Sequence, residues 1–166
     1  MASTRSAEPF APEGVVWTAV SPRLKAARRL TGCLPPALAA LGFAVAAAVL
    51  PWWPFVIPAA FFAALSGWYF WIVGRQVPAI GYAERSDDLL VRRGIMWRSI
   101  VVVPYGRMQY VDVQAGPIDR MFGIARVQLH TASAATDAAI SGLPPGEAAR
   151  LRDRLASRGQ SQLAGL

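Results

Sequence analysis

The chain has 166 residues, 54% of them hydrophobic, and a net charge of +7 from 17 basic and 10 acidic side chains. That length holds two short membrane spans and one small domain, and no dense basic stripe turns the positive balance into a nucleic-acid surface. One cysteine, Cys33, and one histidine, His130, exclude an intrachain disulfide and leave too few ligands for a zinc site of the usual kind.

Residues 1–14 are polar and rich in small side chains, without the apolar core of a secretory signal, and are expected to be a disordered tail. Ser21-Pro22 is a helix start, with serine at the N-cap and proline at the first helical position. Residues 15–29 are expected to form a short basic interfacial helix. Leu24, Ala27 and Leu30 fall near one face, and Arg23, Lys25, Arg28 and Arg29 can meet headgroups.

Between Leu30 and Gly74 there is no charged side chain. A charge at the bilayer centre costs about 2.5–3.5 kcal/mol on insertion scales, and one helical crossing takes roughly 20 residues. Residues 30–74 are therefore predicted to be a transmembrane hairpin, with spans near 30–50 and 52–73 and a turn at Leu50-Pro51-Trp52-Trp53-Pro54. Gly42 and Ala46 in the first span allow close helix approach. Trp52 and Trp53 mark one interface, and Trp68, Tyr69 and Trp71 the other. Lys and Arg flank the run on both outer sides and are missing from the turn. This predicts a multi-pass protein of the plasma membrane with both termini cytoplasmic. Leu30-Thr31-Gly32-Cys33 matches a lipoprotein cleavage box but precedes its apolar stretch, so Cys33 is read as a small buried thiol at the start of a span.

From Ile80 the pattern changes to short β segments. Residues 89–93 and 95–103 read as two strands joined at Arg93-Gly94, with Ile95, Trp97, Val101 and Val103 on one face. Residues 108–113 and 124–131 follow, with a weak strand at 138–140. Pro144-Pro145-Gly146 then introduces a helix over 147–157, its apolar face Ala148, Leu151 and Leu155, with Glu147 and Arg150 paired at i, i+3. Many strands and one closing helix mean a small β-rich α+β domain over 79–158, leaving 159–166 as a tail.

The stretch from Val103 to Ala132 carries a familiar order of parts. It holds Pro104, Arg107-Met108-Gln109, Gly116-Pro117, Arg120-Met121-Phe122-Gly123-Ile124-Ala125, a strand, and Thr131-Ala132. With two preceding spans and a closing Leu143-Pro144 helix, this resembles the bacterial pleckstrin-homology-like (YdbS-like PH domain) membrane proteins over roughly residues 15–158. Met108 stands where that pattern usually has Ile, and Ser133-Ala134-Ala135-Thr136 replaces its Gly-rich turn. The resemblance implies a PH-like β-sandwich or barrel capped by a C-terminal helix, and implies no defined activity. Within the motif, Gly116 is expected to relieve a tight turn or bulge and Gly123 to be a left-handed cap.

No nucleophile with a spaced histidine, P-loop or dinucleotide fingerprint is present, so the expectation is a non-enzyme without cofactor or metal. The candidate partner- or lipid-contact residues are Arg92, Arg93, Arg107, Gln109 and Arg120. The preferred reading is a membrane-anchored interaction or scaffold module. It pairs with itself or with another membrane protein through a sheet edge or the last helix. The alternative is an anionic-headgroup reader, for which the resemblance points to the loop Arg85-Ser86-Asp87-Asp88 with Arg92 and Arg93. Asp87 and Asp88 repel phosphate there, and with Asp112 and Asp119 they weaken a focused positive field.

Overall fold

The structure, a computed structural model, describes residues 15–50, 52–132 and 137–164. The expected tail 1–14, Pro51 of the hairpin turn, the segment 133–136 and the last two residues lie outside them.

Helix α1 runs without a break over Arg23–Val49, 27 residues. Its first N–H, that of Arg23, donates to Ser21 Oγ at 3.3 Å. The separate interfacial helix expected over 15–29 is not formed. Strand β1 (Thr18–Ala19) occupies part of that stretch and pairs antiparallel with β2 (Gly81–Glu84), and Arg23 onward is the first turns of α1. The reason lies in where the apolar face goes. Leu24 and Ala27 are 3% and 4% exposed and belong to the domain core, not to a lipid surface. Ser21 N–H donates to the Gly142 carbonyl at 2.8 Å, and Gly142, at φ +85, lies against the Leu24 side chain.

A 3-10 turn, Trp53–Phe55, leads into α2 (Val56–Gln76). The two helices pack closely where side chains are small. Gly32 lies under the Tyr69 ring. Ser66 Oγ donates to the Cys33 carbonyl at 3.2 Å, and Cys33 Sγ lies 3.6 Å from the Ser66 carbonyl. Both helices are long and apolar enough to cross a membrane. Their outer faces carry Leu38, Leu41 and Phe61, each about 60% exposed.

The remainder is two antiparallel sheets and a closing helix, an α+β architecture as the sequence predicts. The first sheet has the order β1-β2-β3-β4, with β3 Asp88–Arg93 and β4 Ser99–Pro104. The second has the order β5-β6-β7, with β5 Met108–Gln114, β6 Ala125–Thr131 and β7 Ala138–Leu143. A short helix α3, Pro117–Met121, joins β5 to β6. The core combines Tyr82, Leu89, Val103, Val127, Leu129 and Ile140 with residues of α1, α2 and α4 (Pro145–Ala164).

Three local expectations change. The strand expected from Ile95 begins at Ser99, because Gly94 turns the chain at φ +96 and residues 95–98 form a loop. Trp97 therefore shares no face with Val103 and is 84% exposed. Helix α4 extends to Ala164, so most of the expected tail 159–166 is helical, and Gly159 sits against the Tyr105 carbonyl. Gly116 is extended (φ −66, ψ 171), so no glycine-only conformation is needed there, whereas Gly123 has φ +60.

Candidate functional site

The register decides where the predicted basic residues lie. Gly81 opposes Arg92, and Asp88 opposes Pro104. Arg92 and Arg93 thus stand beside the exit of α2, while Asp88 closes the other end of β3, about 16 Å away at the usual rise per residue. The acids expected to offset these arginines are at the wrong end of the strand. Arg85 pairs with Asp88 at 3.6 Å, and Ser86 Oγ donates to Asp87 at 2.8 Å. Arg92 stacks on the Trp17 ring at 4.6 Å.

Arg107 and Gln109 are exposed near the far end, in the 3-10 turn Tyr105–Arg107 and at the register shift between Met108 and Tyr110. Arg120 is exposed on α3. The five predicted residues therefore do not form one site. Its neighbour Asp119 accepts the Gly116 N–H at 3.2 Å. His130 Nδ1 lies 3.2 Å from Asp137, which also accepts the Thr131 N–H at 2.8 Å, and the imidazole stacks on Tyr110. Those contacts tie the ends of β6 and β7 together.

Arg93 instead meets Arg28, which the sequence places on an interfacial helix, and Arg126, which is not among the candidate contact residues. Arg28 of α1, Arg93 of β3 and Arg126 of β6 line one cavity of about 210 Å³, together with Ser141. Arg126 Nε donates to Ser141 Oγ at 3.0 Å. Among the described residues no carboxylate pairs with any of the three guanidinium groups. Asp119 lies in an adjoining cavity of about 320 Å³ that Arg28 and Arg126 also line. On the other side, Arg28 and Arg93 border a trough of about 440 Å³ walled by Ile72, Ile80, Ile95, Met96 and Trp97. The sequence signal for Arg28 was real, as a basic flank of a span. What it could not give was the docking of α1 on β7, which turns that flank toward the sheets.

The arginines of α4 are arranged differently. Arg150 bonds Glu147 and lies 3.7 Å from Glu84, and Arg154 reaches Glu84 at 3.0 Å. Arg158 donates to the Arg85 carbonyl at 2.7 Å and to Tyr105 Oη at 3.0 Å. Tyr82 Oη donates to Glu147 at 2.9 Å, and burial together with that bond pushes the Tyr82 phenol up to about 12. The Arg150 bond holds the Glu147 carboxyl below the ordinary carboxylate range. Burial also raises the Tyr105 phenol. These groups clamp α4 to the first sheet.

The architecture agrees with a wider comparison. A family described as Bacterial PH domain matches residues 26–159, from α1 into α4. The chain belongs to that family. Because the match begins inside α1, the helical hairpin and the PH domain fall within one family unit. A similar protein is the UPF0699 transmembrane protein YdbS of Bacillus subtilis (strain 168), 35% identical over 74 residues. That alignment covers 45% of this chain and 45% of the relative, so the chain matches less than half of the relative's length. No solved structure matches the chain. The chain is thus a membrane-associated PH-like protein of the YdbS-like kind.

Proposed function

We propose that the chain is a non-catalytic interaction module at the cytoplasmic face of the plasma membrane, and that its domain meets a protein partner along β4. The observation that supports this is the character of that strand. Strand β4 ends the first sheet and, among the described residues, pairs only with β3. Its sequence, Ser-Ile-Val-Val-Val-Pro, has no charge, and Val102 is 45% exposed. Sheet edges in soluble proteins are blunted by charges, bulges or covering elements. Among the described residues of β4 only the terminal Pro104 does so. A strand from a second copy or from another membrane protein can extend the sheet through main-chain hydrogen bonds.

A photocrosslinking residue at Val102 of the full chain in its native membrane is expected to give a discrete adduct with one protein. The same probe at Arg152, on the exposed face of α4, should not. Equal labelling at both positions, or none at Val102, overturns the reading. A headgroup reader at the β2–β3 loop is less favoured, because Arg85 is already paired with Asp88.

The orientation rests on charge. Arg23, Lys25, Arg28, Arg29 and Arg75 flank the hairpin, and its turn has no basic residue. In a Cys33→Ser background, Trp52→Cys should react with an impermeant thiol reagent added to intact cells, and Arg152→Cys only after lysis. The reverse pattern would place the domain outside.

A further inference from the structure

We propose that the membrane-facing end of the domain binds the phosphate of an anionic phospholipid from the adjoining leaflet, held by Arg28, Arg93 and Arg126. This goes beyond the interaction along β4 and does not depend on it.

Three arginines from three separate elements converge on one cavity of about 210 Å³. Guanidinium groups repel one another, and a folded chain normally offsets such a cluster with carboxylates, as α4 does with Glu84 and Glu147. Among the described residues these three have no such pair. Asp119 accepts the Gly116 N–H and faces only the adjoining space, and its single charge leaves the three cations in net excess. The cavity therefore calls for an anion. The planar five-donor guanidinium suits phosphate oxygens, which it can take two at a time. Ser141 adds a hydroxyl.

The placement argues for a lipid source. Arg28 stands one turn beyond Leu24, which is anchored in the core, and just before the charge-free run from Leu30. Ile72 and Gln76, which border the trough beside the cavity, are in the last turns of α2. That is headgroup depth for a hairpin that enters the bilayer there. The trough shares Arg28 and Arg93 with the cavity, and its outer lip is Met96 and Trp97, 81% and 84% exposed. Tryptophan favours the membrane interface. A lipid phosphate in the cavity would thus place its glycerol and upper chains along Ile72, Ile95 and Trp97. A free phosphate would leave that apolar wall in water. Three cations facing one phosphodiester also disfavour a choline headgroup, whose ammonium would lie beside them.

The test uses the full chain in mild detergent, with bound lipid counted by native mass spectrometry as phosphatidylglycerol or phosphatidylcholine is added. The expected result is one phosphatidylglycerol per chain, preferred about tenfold over phosphatidylcholine. Arg28→Gln, Arg93→Gln and Arg126→Gln should each weaken it about tenfold, while Arg152→Gln, an equal loss of charge on α4, should leave it within about twofold. Arg93 and Arg126 are exposed, so their replacement does not threaten folding. Arg93→Lys keeps the charge, loses the paired donors, and should fall between the two. Equal affinity for both lipids overturns the proposal. So does equal loss in Arg152→Gln, or an Arg93→Lys chain indistinguishable from the parent, since either result assigns binding to diffuse charge. Displacement of the lipid by inorganic phosphate at equal concentration would overturn the lipid source.

Discussion

The hairpin and the domain carry their apolar residues in opposite ways. Along the outer faces of α1 and α2, Leu34, Leu38, Leu41 and Phe61 are 48–61% exposed. In the domain, Val127, Leu129, Leu151 and Leu155 are fully buried. The informative residues break each pattern. Leu24, Ala27 and Val73 lie on the two hairpin helices yet are buried in the domain core. Met96 and Trp97 lie on the domain yet are among its most exposed apolar side chains. Both exceptions occur where the helices meet the sheets. The ends of the two long helices complete the domain core, and the 95–98 loop stands beside those ends, sharing a trough with Ile72 and Gln76. The junction is therefore a packed seam, and a rigid seam can hold residues such as Arg28, Arg93 and Arg126 in one geometry.

The strongest way to break this comparison is to truncate buried leucines on either side of the seam. Leu151→Ala, in the apolar face of α4, should cost about 2–5 kcal/mol. If α1 is part of the same core, Leu24→Ala should fall in that range as well, and Leu38→Ala, with its side chain 59% exposed, should leave domain stability unchanged. Gly142→Ala sharpens the point. Its φ of +85 disfavours a side chain, and an added Cβ would approach Leu24 Cβ and Cδ2 to 2.8 Å, the second of which Leu24→Ala removes. It should destabilise the chain, and Leu24→Ala in the same molecule should relieve part of that loss, a coupling that distant sites do not show. Denaturant unfolding of the full chain in detergent, followed by the domain's signal, measures all five variants. A Leu24→Ala effect below about 0.5 kcal/mol would mean that the seam is loose.

The seam also marks the limit of what the sequence discloses. The charge-free run, the two helices, the β-rich domain and the closing helix with Ala148, Leu151 and Leu155 inward are all legible, because each depends on local periodicity or on charge. Gly123 is legible as a left-handed cap for the same reason. The fate of residues 15–29 is not. Leu24 and Ala27 give the same amphipathic pattern whether their face meets lipid or a sheet, and only the long-range contact with Gly142 decides. Residues 95–98 mislead because alternation continues across a loop once Gly94 turns the chain. The arginine cluster is invisible for a related reason. Its members are 65 and 33 positions apart in sequence, from Arg28 to Arg93 and from Arg93 to Arg126. Arg107, Gln109 and Arg120 lie within the Val103–Ala132 motif and Arg92 and Arg93 on the strand before it, and the fold places these residues apart.

The smallest expected effect tests the clamp on α4, the side of the domain where charges are compensated. Tyr82 donates to Glu147, and its phenol is pushed up to about 12, first by burial and then by that bond. An acid whose folded value is raised stabilises the fold fully below its ordinary value, and that contribution declines as pH rises from there toward the folded value. For Tyr82 the ordinary value is 10.0, so the decline runs from pH 10 to about 12. Glu147 behaves oppositely. Its folded value is lowered, mainly by Arg150, so its contribution is present above the ordinary carboxylate range and is lost as pH falls through the folded value. The chain should therefore lose stability on an alkaline limb and, separately, on an acid one. Tyr82→Phe should flatten the alkaline limb in part only, because burial raises the Tyr105 phenol too. Glu147→Gln should flatten the acid limb and leave the phosphatidylglycerol affinity at Arg28, Arg93 and Arg126 unchanged, since Glu147 lines none of those cavities. Unfolding midpoints across pH, with the lipid count taken on the same variants, check both. A Tyr82→Phe chain with the parent's full alkaline loss would remove Tyr82 from the clamp, and a Glu147→Gln chain with altered lipid binding would show that the two ends of the domain are electrostatically one.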